Sequence, residues 1–298
     1  MIFGKKQQET RERTMIEARA KINLTLDVTG KREDGYHLVK MVMQSVDLHD
    51  DVRVTIVRGE KKPRGIVLSC SMPFLPTDSS NLAYRAAELF YKETGVPLET
   101  CEIFIEKRIP IAAGLAGGST DAAAVLRALR TLYAPDISDG RLETLAARLG
   151  SDVPFFIRGG TQLATGRGEV VSPLPQLAAG WFVVVKPDEG YSTAEMYRRL
   201  DEPGSVLVRN SRYMQDAVAA NNVHAVAAEL HNSFERVVPK DSSLRTIKDA
   251  LRAQGALGTL LSGSGSAVFG LFDDQSAAAA AAEALKKTWP WVFVARPV

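Results

Sequence analysis

Residues 110–120 read PIAAGLAGGST and run directly into a helical pattern, which makes this junction the most chemically suggestive part of the chain. Glycine has no Cβ, so Gly114, Gly117 and Gly118 let the backbone turn sharply and let a ligand approach its N–H groups. A helix N-terminus adds unpaired N–H groups and the positive end of the macrodipole, and both favour an anion. Ser119 and Thr120 supply hydroxyls that either cap the helix or touch a phosphate or its cation. The segment reads as a phosphate cradle, or as a tight strand-to-helix turn whose glycines serve packing alone. Two other phosphate loops are excluded. Neither Gly4-Lys5-Lys6 nor Gly30-Lys31-Arg32 completes GxxxxGK[ST], and GLAGGS is not GxGxxG. Protein-kinase signatures are also missing.

Asp152 sits in LGSDVPFF, after a helical pattern and before Pro154, beside apolar Val153, Phe155 and Phe156. It is either a helix-capping residue or a partly desolvated carboxylate suited to general base work. Lys21 lies in the strand pattern ARAKINL. Such a lysine is either a solvated edge charge or a cation that stabilises charge developing on a phosphoryl group or alkoxide. Asp34-Gly35-Tyr36-His37 is a turn carrying an aromatic ring and an imidazole, and by itself it reads as a hairpin tip. A second glycine loop, Ser262-Gly263-Ser264-Gly265-Ser266, lies between two apolar runs and is either an anion-facing turn or a plain connection.

These residues need elements to hold them. Ile22, Leu24, Leu26 and Val28 alternate with polar or small residues, as do Val52, Val54 and Ile56, and again Ile103 and Ile105, so all three segments read as strands. Ala83, Ala86, Ala87 and Phe90 fall at helical spacing after Asp78-Ser79-Ser80. Ala122, Val125, Leu126, Leu129 and Leu132 predict the helix after the glycine loop. RLETLAARLG predicts another, stopping at Gly150. The second half opens on the apolar run Trp181–Val185. It then shows helical patterns near 193–200, 213–230 and 243–254 and strands near 267–272 and 292–296. The alanine run 277–282 reads as a further helix. Strands and helices mixed in both halves give an α+β chain of two domains, with an extension at 1–14 read as disordered, then 15–165 and 166–298.

Composition narrows the function classes. The 298 residues are 45% hydrophobic and 24% charged, enough to bury a sizeable core without staples. Lys plus Arg is 37 against 35 Asp plus Glu, a balance of +2 that does not suggest a nucleic-acid or membrane-surface binder. Cys70 and Cys101 form no CxxC pair, and His37, His49, His224 and His231 are scattered. A disulfide framework and a histidine or zinc centre are therefore not expected. No apolar run is long enough for a membrane helix, and the N-terminus lacks a signal-peptide core. A reducing, cytoplasmic setting is expected.

Four segments, AKINLTLDVTGKREDGYH, PIAAGLAGGSTDAA, LGSDVPFF and LLSGSGSAVFGLF, occur in the order found in the GHMP kinases, and the chain resembles that family from about Met15 onward. The first 14 residues have no counterpart in the family pattern. The resemblance implies a two-domain fold, with a ribosomal-protein-like N-terminal domain, a ferredoxin-like C-terminal domain and a cleft between them. The combination of AKINL, DGYH and LGSDVPFF resembles the branch that uses ATP and Mg2+ to phosphorylate the 2-hydroxyl of a diphosphocytidyl-methylerythritol. By that resemblance Lys21 and Asp152 are the catalytic pair. The ATP phosphates would run along Pro110, Ala113, Gly114, Leu115, Ala116, Gly117, Gly118, Ser119 and Thr120, with Lys107 reaching them.

His37, Tyr36 and Tyr197 would take the cytosine, and Asn23, Thr193, Gly263 and Ser264 are further substrate contacts, with no side-chain metal ligand assigned. Ala116 and Thr120 stand where many relatives have Gly and Ser, and Ser266 where proline is common. Partners would be the small-molecule substrate and ATP, with no nucleic acid or membrane, in a monomer or weak homodimer. A sister kinase acting on homoserine, mevalonate or a sugar is the alternative, and it has no use for a cytosine-reading set. A non-catalytic RNA-binding module would need a clustered basic face and no Asp152.

Overall fold

The computed structural model describes residues 9–59, 64–202 and 211–298. These divide into two compact units. One holds the chain up to Ala18, His49–Arg108 and Gly118–Ile157. The other holds Arg19–Leu48, Ile109–Gly117 and Arg158–Val298. The units interleave along the chain, whereas the sequence reading drew one cut near residue 165. The reason is that β1 (Thr10–Lys31) and β2 (His37–Arg58) each contribute residues to both.

In the first unit β2 pairs antiparallel with β4 (Thr100–Glu106), placing Val54 opposite Ile103. β3 (Gly65–Cys70) pairs parallel with β4, placing Leu68 opposite Ile103. Val52, Val54, Ile56, Ile103 and Ile105 are buried on the sheet, as the period-two pattern requires. α1 (Leu82–Thr94) buries Ala83, Ala86, Ala87 and Phe90. Its cap is Asn81, whose side chain accepts from Ala83 N–H, rather than Asp78-Ser79-Ser80. α2 (Gly117–Tyr133) begins two residues before Ser119, so both glycines belong to its first turn. It is buried on nearly every side from Thr120 to Leu126. α3 (Asp139–Ala146) ends before Gly150, and the short α4 (Phe155–Arg158) follows.

Residues 10–14, read as part of a disordered extension, are the first residues of β1, while residues 1–8 lie outside the described residues. Period-two apolar patterning missed them because their side chains are mostly exposed, and they are tied by charge instead. Arg11 meets Glu102 at 3.6 Å, and Glu12 pairs with Arg58.

The second unit carries β5 (Thr161–Thr165), β6 (Val170–Pro173), β7 (Trp181–Lys186), α5 (Thr193–Leu200), α6 (Arg212–Ala219), α7 (Val223–Glu229) and β8 (His231–Asn232). A 3-10 turn at Ser233–Arg236 leads to α8 (Leu244–Ala253), β9 (Gly258–Leu261), β10 (Val268–Phe272), α9 (Gln275–Leu285) and β11 (Trp291–Ala295). Its four-stranded sheet has the order β11-β7-β10-β9, antiparallel throughout. β5 pairs antiparallel with β2, and β8 pairs parallel with β1. The single helical pattern at 213–230 is two helices, because Asn221 takes φ +50° and its side chain turns to Ala178 and Ala179 N–H.

Ile22, Leu24, Val42, Leu115, Phe182, Val184, Phe269 and Leu271 share one core. From Ala20 to Val28 β1 is buried on both faces, so its alternating polar residues Asn23, Thr25 and Asp27 are also fully buried. Buried polar atoms need partners. Thr25 Oγ1 accepts from Val42 N–H at 3.0 Å, and Asp27 meets His231 Nε2 at 2.9 Å.

Candidate active site

Within the second unit the two glycine loops hydrogen-bond to each other. Ser266 N–H and Ala267 N–H donate to the carbonyls of Ala112 and Ala113. Ser262 Oγ donates to the Gly114 carbonyl at 3.1 Å. The approach is close enough to require glycine. Gly114 has φ +74°, and a Cβ there would stand 2.0 Å from the Ser262 carbonyl oxygen. Asn232 fastens the second loop from beneath, donating through Nδ2 to the carbonyls of Leu261 and Gly263 at 2.8 Å each. Thr193 Oγ1 and Ser264 Oγ lie 2.8 Å apart, which ties the start of α5 to the loop.

Lys21 sits where these loops meet. The residue is only 3% exposed, and its ammonium donates to Asn23 Oδ1 at 2.7 Å and to the Gly114 carbonyl at 2.9 Å. A solvated edge charge would be exposed, so that reading falls. Asn23, expected as a substrate contact, is fully buried and directed at protein atoms, with Oδ1 on Lys21 and Nδ2 3.3 Å from Met41 Sδ. Ala112 and Ala116 both take positive φ, at +50° and +59°, in the first loop.

His37 opens β2 and stacks on Tyr197 of α5, with ring centroids 4.6 Å apart and planes 18° from parallel. The Tyr36 ring is 55% exposed and carries the Arg167 guanidinium 4.8 Å over its face. Tyr197 therefore meets His37 and Phe234, not Tyr36.

In the first unit Gly118, Ser119 and Thr120 belong to the opening turn of α2, which starts at Gly117. The N–H groups of Gly117, Gly118 and Ser119 come before the first intrahelical donor of α2. They are the orphan donors that any helix N-terminus presents, and Gly118 is exposed. Asp152 is half-buried in the turn between α3 and α4, flanked by buried Val153 and Pro154.

Lys107 is placed differently from the phosphate contact that the family pattern implies. Its side chain is 5% exposed and enclosed by two carboxylates, pairing with Asp50 and donating to Asp121 Oδ2 at 2.7 Å. Burial works against the ammonium, but Asp121 and Asp50 together outweigh it and hold Lys107 above its ordinary range. Burial first, and the neighbouring Asp50 charge, push the Asp121 carboxyl up to about 7 against the pull of Lys107. One cation for two buried carboxylates favours a retained proton. Asp50, Asp121, Asn232 and Asp201, a neighbour of His37, carried no signal in the sequence, since each acts on a residue distant in the chain or hidden in a helical run.

The chain also resembles known proteins. The family model for the GHMP kinases N terminal domain matches residues 81–160, and that for GHMP kinases C terminal matches 214–290. A 4-diphosphocytidyl-2-C-methyl-D-erythritol kinase of Clostridium botulinum (strain Eklund 17B) is 44% identical over 284 residues, covering 95% of this chain and 99% of that one. That of strain Kyoto is 42% identical over 285 residues, covering 95% and 100%. A solved 4-(cytidine 5'-diphospho)-2C-methyl-D-erythritol kinase superposes with a TM-score of 0.79 at 36% identity, over 95% of this chain and 99% of that one. The L. major mevalonate kinase, at 18% identity, a TM-score of 0.75 and 98% coverage of each chain, shares the fold alone. No described helix is long and apolar enough to cross a membrane.

Proposed function

The chain belongs to the GHMP kinase family, and from that premise we propose that it transfers the γ-phosphoryl group of ATP to the 2-hydroxyl of 4-diphosphocytidyl-2-C-methyl-D-erythritol. The observation that carries the phosphate part of this reading is the opening turn of α2. The opening N–H groups of Gly117, Gly118 and Ser119, with the hydroxyls of Ser119 and Thr120, belong to a helix terminus that begins with two glycines. Such a terminus suits a polyphosphate.

Magnesium suits the same turn as a companion of ATP. The side-chain oxygens that Ser119 and Thr120 bring to this turn are hydroxyls. Bound with ATP, the ion neutralises charge on the phosphate oxygens, and Ser119 and Thr120 are the residues here that would hold it.

Phosphoryl transfer depends on positioning and charge stabilisation more than on covalent help. In this reading Asp152 accepts the proton of the attacking 2-hydroxyl. Lys21, fixed by Asn23 and the Gly114 carbonyl, supplies the positive charge that stabilises the incipient alkoxide. His37 and Tyr197 take the cytosine, and Thr193, Gly263 and Ser264 line the remainder of the substrate. A cytoplasmic location fits a kinase of small, water-soluble substrates.

The test is ATP consumption with magnesium, offering diphosphocytidyl-methylerythritol, mevalonate and homoserine in parallel. Turnover with the cytidine compound alone, at least about 10²-fold weaker in Asp152→Asn while ATP still binds, is the expected result. Turnover with mevalonate or homoserine instead would remove the substrate assignment.

A further inference from the structure

Helix α5 grips the His37 ring twice, with residues one turn apart. Tyr197 stacks on its face at 4.6 Å, and Asp201, the residue that ends the helix, meets its edge, with Oδ1 2.7 Å from Nε2. The Asp201 N–H is itself held by the Tyr197 carbonyl at 3.2 Å, so face and edge contacts are geometrically linked. The other carboxylate oxygen of Asp201 accepts from Lys31 Nζ at 2.6 Å. These hydrogen bonds, from Lys31 first and then His37, hold the Asp201 carboxyl below the usual carboxylate range. It is an acceptor on both oxygens.

An ionised carboxylate cannot donate, so the hydrogen on this contact belongs to His37 Nε2. In a neutral imidazole the other nitrogen, Nδ1, is then an acceptor. Among the described residues nothing hydrogen-bonds to Nδ1. In that neutral form the ring presents one fixed lone pair with no protein partner among the described residues.

We propose that Asp201 is a specificity-determining positioning residue. It locks His37 as the Nε2–H tautomer so that Nδ1 accepts a hydrogen bond from the exocyclic amine of cytosine and opposes the carbonyl that uracil carries in its place. The proposal rests on the reading that His37 meets the base. Cytosine offers a 4-amino donor to such an acceptor. Uracil offers an oxygen, and two acceptors facing each other leave both unsatisfied. Lys31 supports the lock by keeping Asp201 ionised, and Tyr197 keeps the ring from rotating.

The experiment compares kcat/KM for the cytidine and uridine diphosphate conjugates of the same alcohol in the parent, Asp201→Asn and His37→Ala, alongside nitrogen chemical shifts of the His37 ring. The parent is expected to show the Nε2–H tautomer and a preference for cytidine. In Asp201→Asn the amide can donate to Nε2, so the tautomer is released. The cytidine-to-uridine ratio should then fall at least about tenfold, carried by KM for the conjugate more than by kcat. A ring that remains Nε2–H in Asp201→Asn overturns the proposal. So does a ratio unmoved by Asp201→Asn but collapsed by His37→Ala, a result that leaves His37 as the base reader. A ratio unmoved by both variants overturns the base reading itself, and the proposal with it.

Discussion

The Lys107 ammonium and the Asp121 carboxylate, 2.7 Å apart, join the segment after β4 to the first turns of α2. Asp50 of β2 holds the same ammonium and also accepts the Arg108 N–H, so three elements of the first unit converge on one buried cation. Asp121 Oδ1 remains buried without a hydrogen-bond partner. The cluster positions the turn that carries Ser119 and Thr120, and it does so with two carboxylates against one ammonium.

That imbalance has a pH signature. Folding raises the Asp121 pKa from 3.8 to about 7. Between those values the unfolded chain has released a proton that the folded chain keeps, so the unfolded state binds fewer protons and this contribution to stability falls as pH rises. Asp121→Asn is neutral at every pH and lacks this dependence. The melting temperature of the variant, measured against the parent, should therefore improve from about pH 4 to about pH 7 and level off above that. A difference that is flat or declines over that range would show that Asp121 is ionised throughout.

Gly114→Ala should unfold or severely destabilise the chain. The new Cβ would lie 2.0 Å from the Ser262 carbonyl oxygen, at a φ of +74°. Backbone must move to relieve that contact, and a cost of about 3 kcal/mol or more is expected. Gly118→Ala is the control. Its Cβ would come no closer than 4.0 Å to Leu82 Cδ1, so it should melt normally and lose ATP affinity if the α2 N-terminus holds phosphate. Thermal melting and ATP titration of both variants separate the packing role of one glycine from the ligand role of the other.

These contrasts show what the sequence made legible. Local periodicity located α2, β4 and the α+β class, because a 3.6 or a 2.0 repeat reports which face of an element is apolar. It also located the loop at 110–120, where glycine and hydroxyl residues accumulate. It could not report which faces meet. Asp201 is 164 residues from His37 and 170 from Lys31, and Asp50 is 57 from Lys107, so no spacing rule links them. The alternating polar positions of β1 were equally opaque. Period two suggests a solvated face, yet Asn23 and Asp27 are buried because both faces of the strand are covered.

Ala116→Gly should stabilise the protein by up to about 1 kcal/mol, since an L-residue at positive φ is strained and glycine is not. Ala116 takes φ +59° in the loop before α2. Glycine's larger entropy in the unfolded chain offsets part of the gain. Chemical denaturation with equal m-values in both proteins is the measurement, and a loss greater than about 0.5 kcal/mol would mean the Ala116 methyl packs to more effect than its backbone strains.

Lys21→Met tests the proposed catalytic role of the ammonium separately from its packing. The substitution keeps most of the buried volume but leaves the Gly114 carbonyl and Asn23 Oδ1 without the donor they have now. A stability loss of about 1–3 kcal/mol is expected from those unmet acceptors. The catalytic loss should be larger, at least about 10²-fold in kcat, because charge developing on the acceptor oxygen loses its counter-charge in a water-poor site. Lys21→Arg should not restore activity. Lys21 is 3% exposed and its ammonium is fixed on Asn23 Oδ1 and the Gly114 carbonyl, a geometry that a longer, planar guanidinium does not reproduce. Pre-steady-state transfer rates at saturating ATP and acceptor decide the matter: a Lys21→Met enzyme that transfers phosphoryl at the parent's rate would assign Lys21 to holding the two loops together and nothing more.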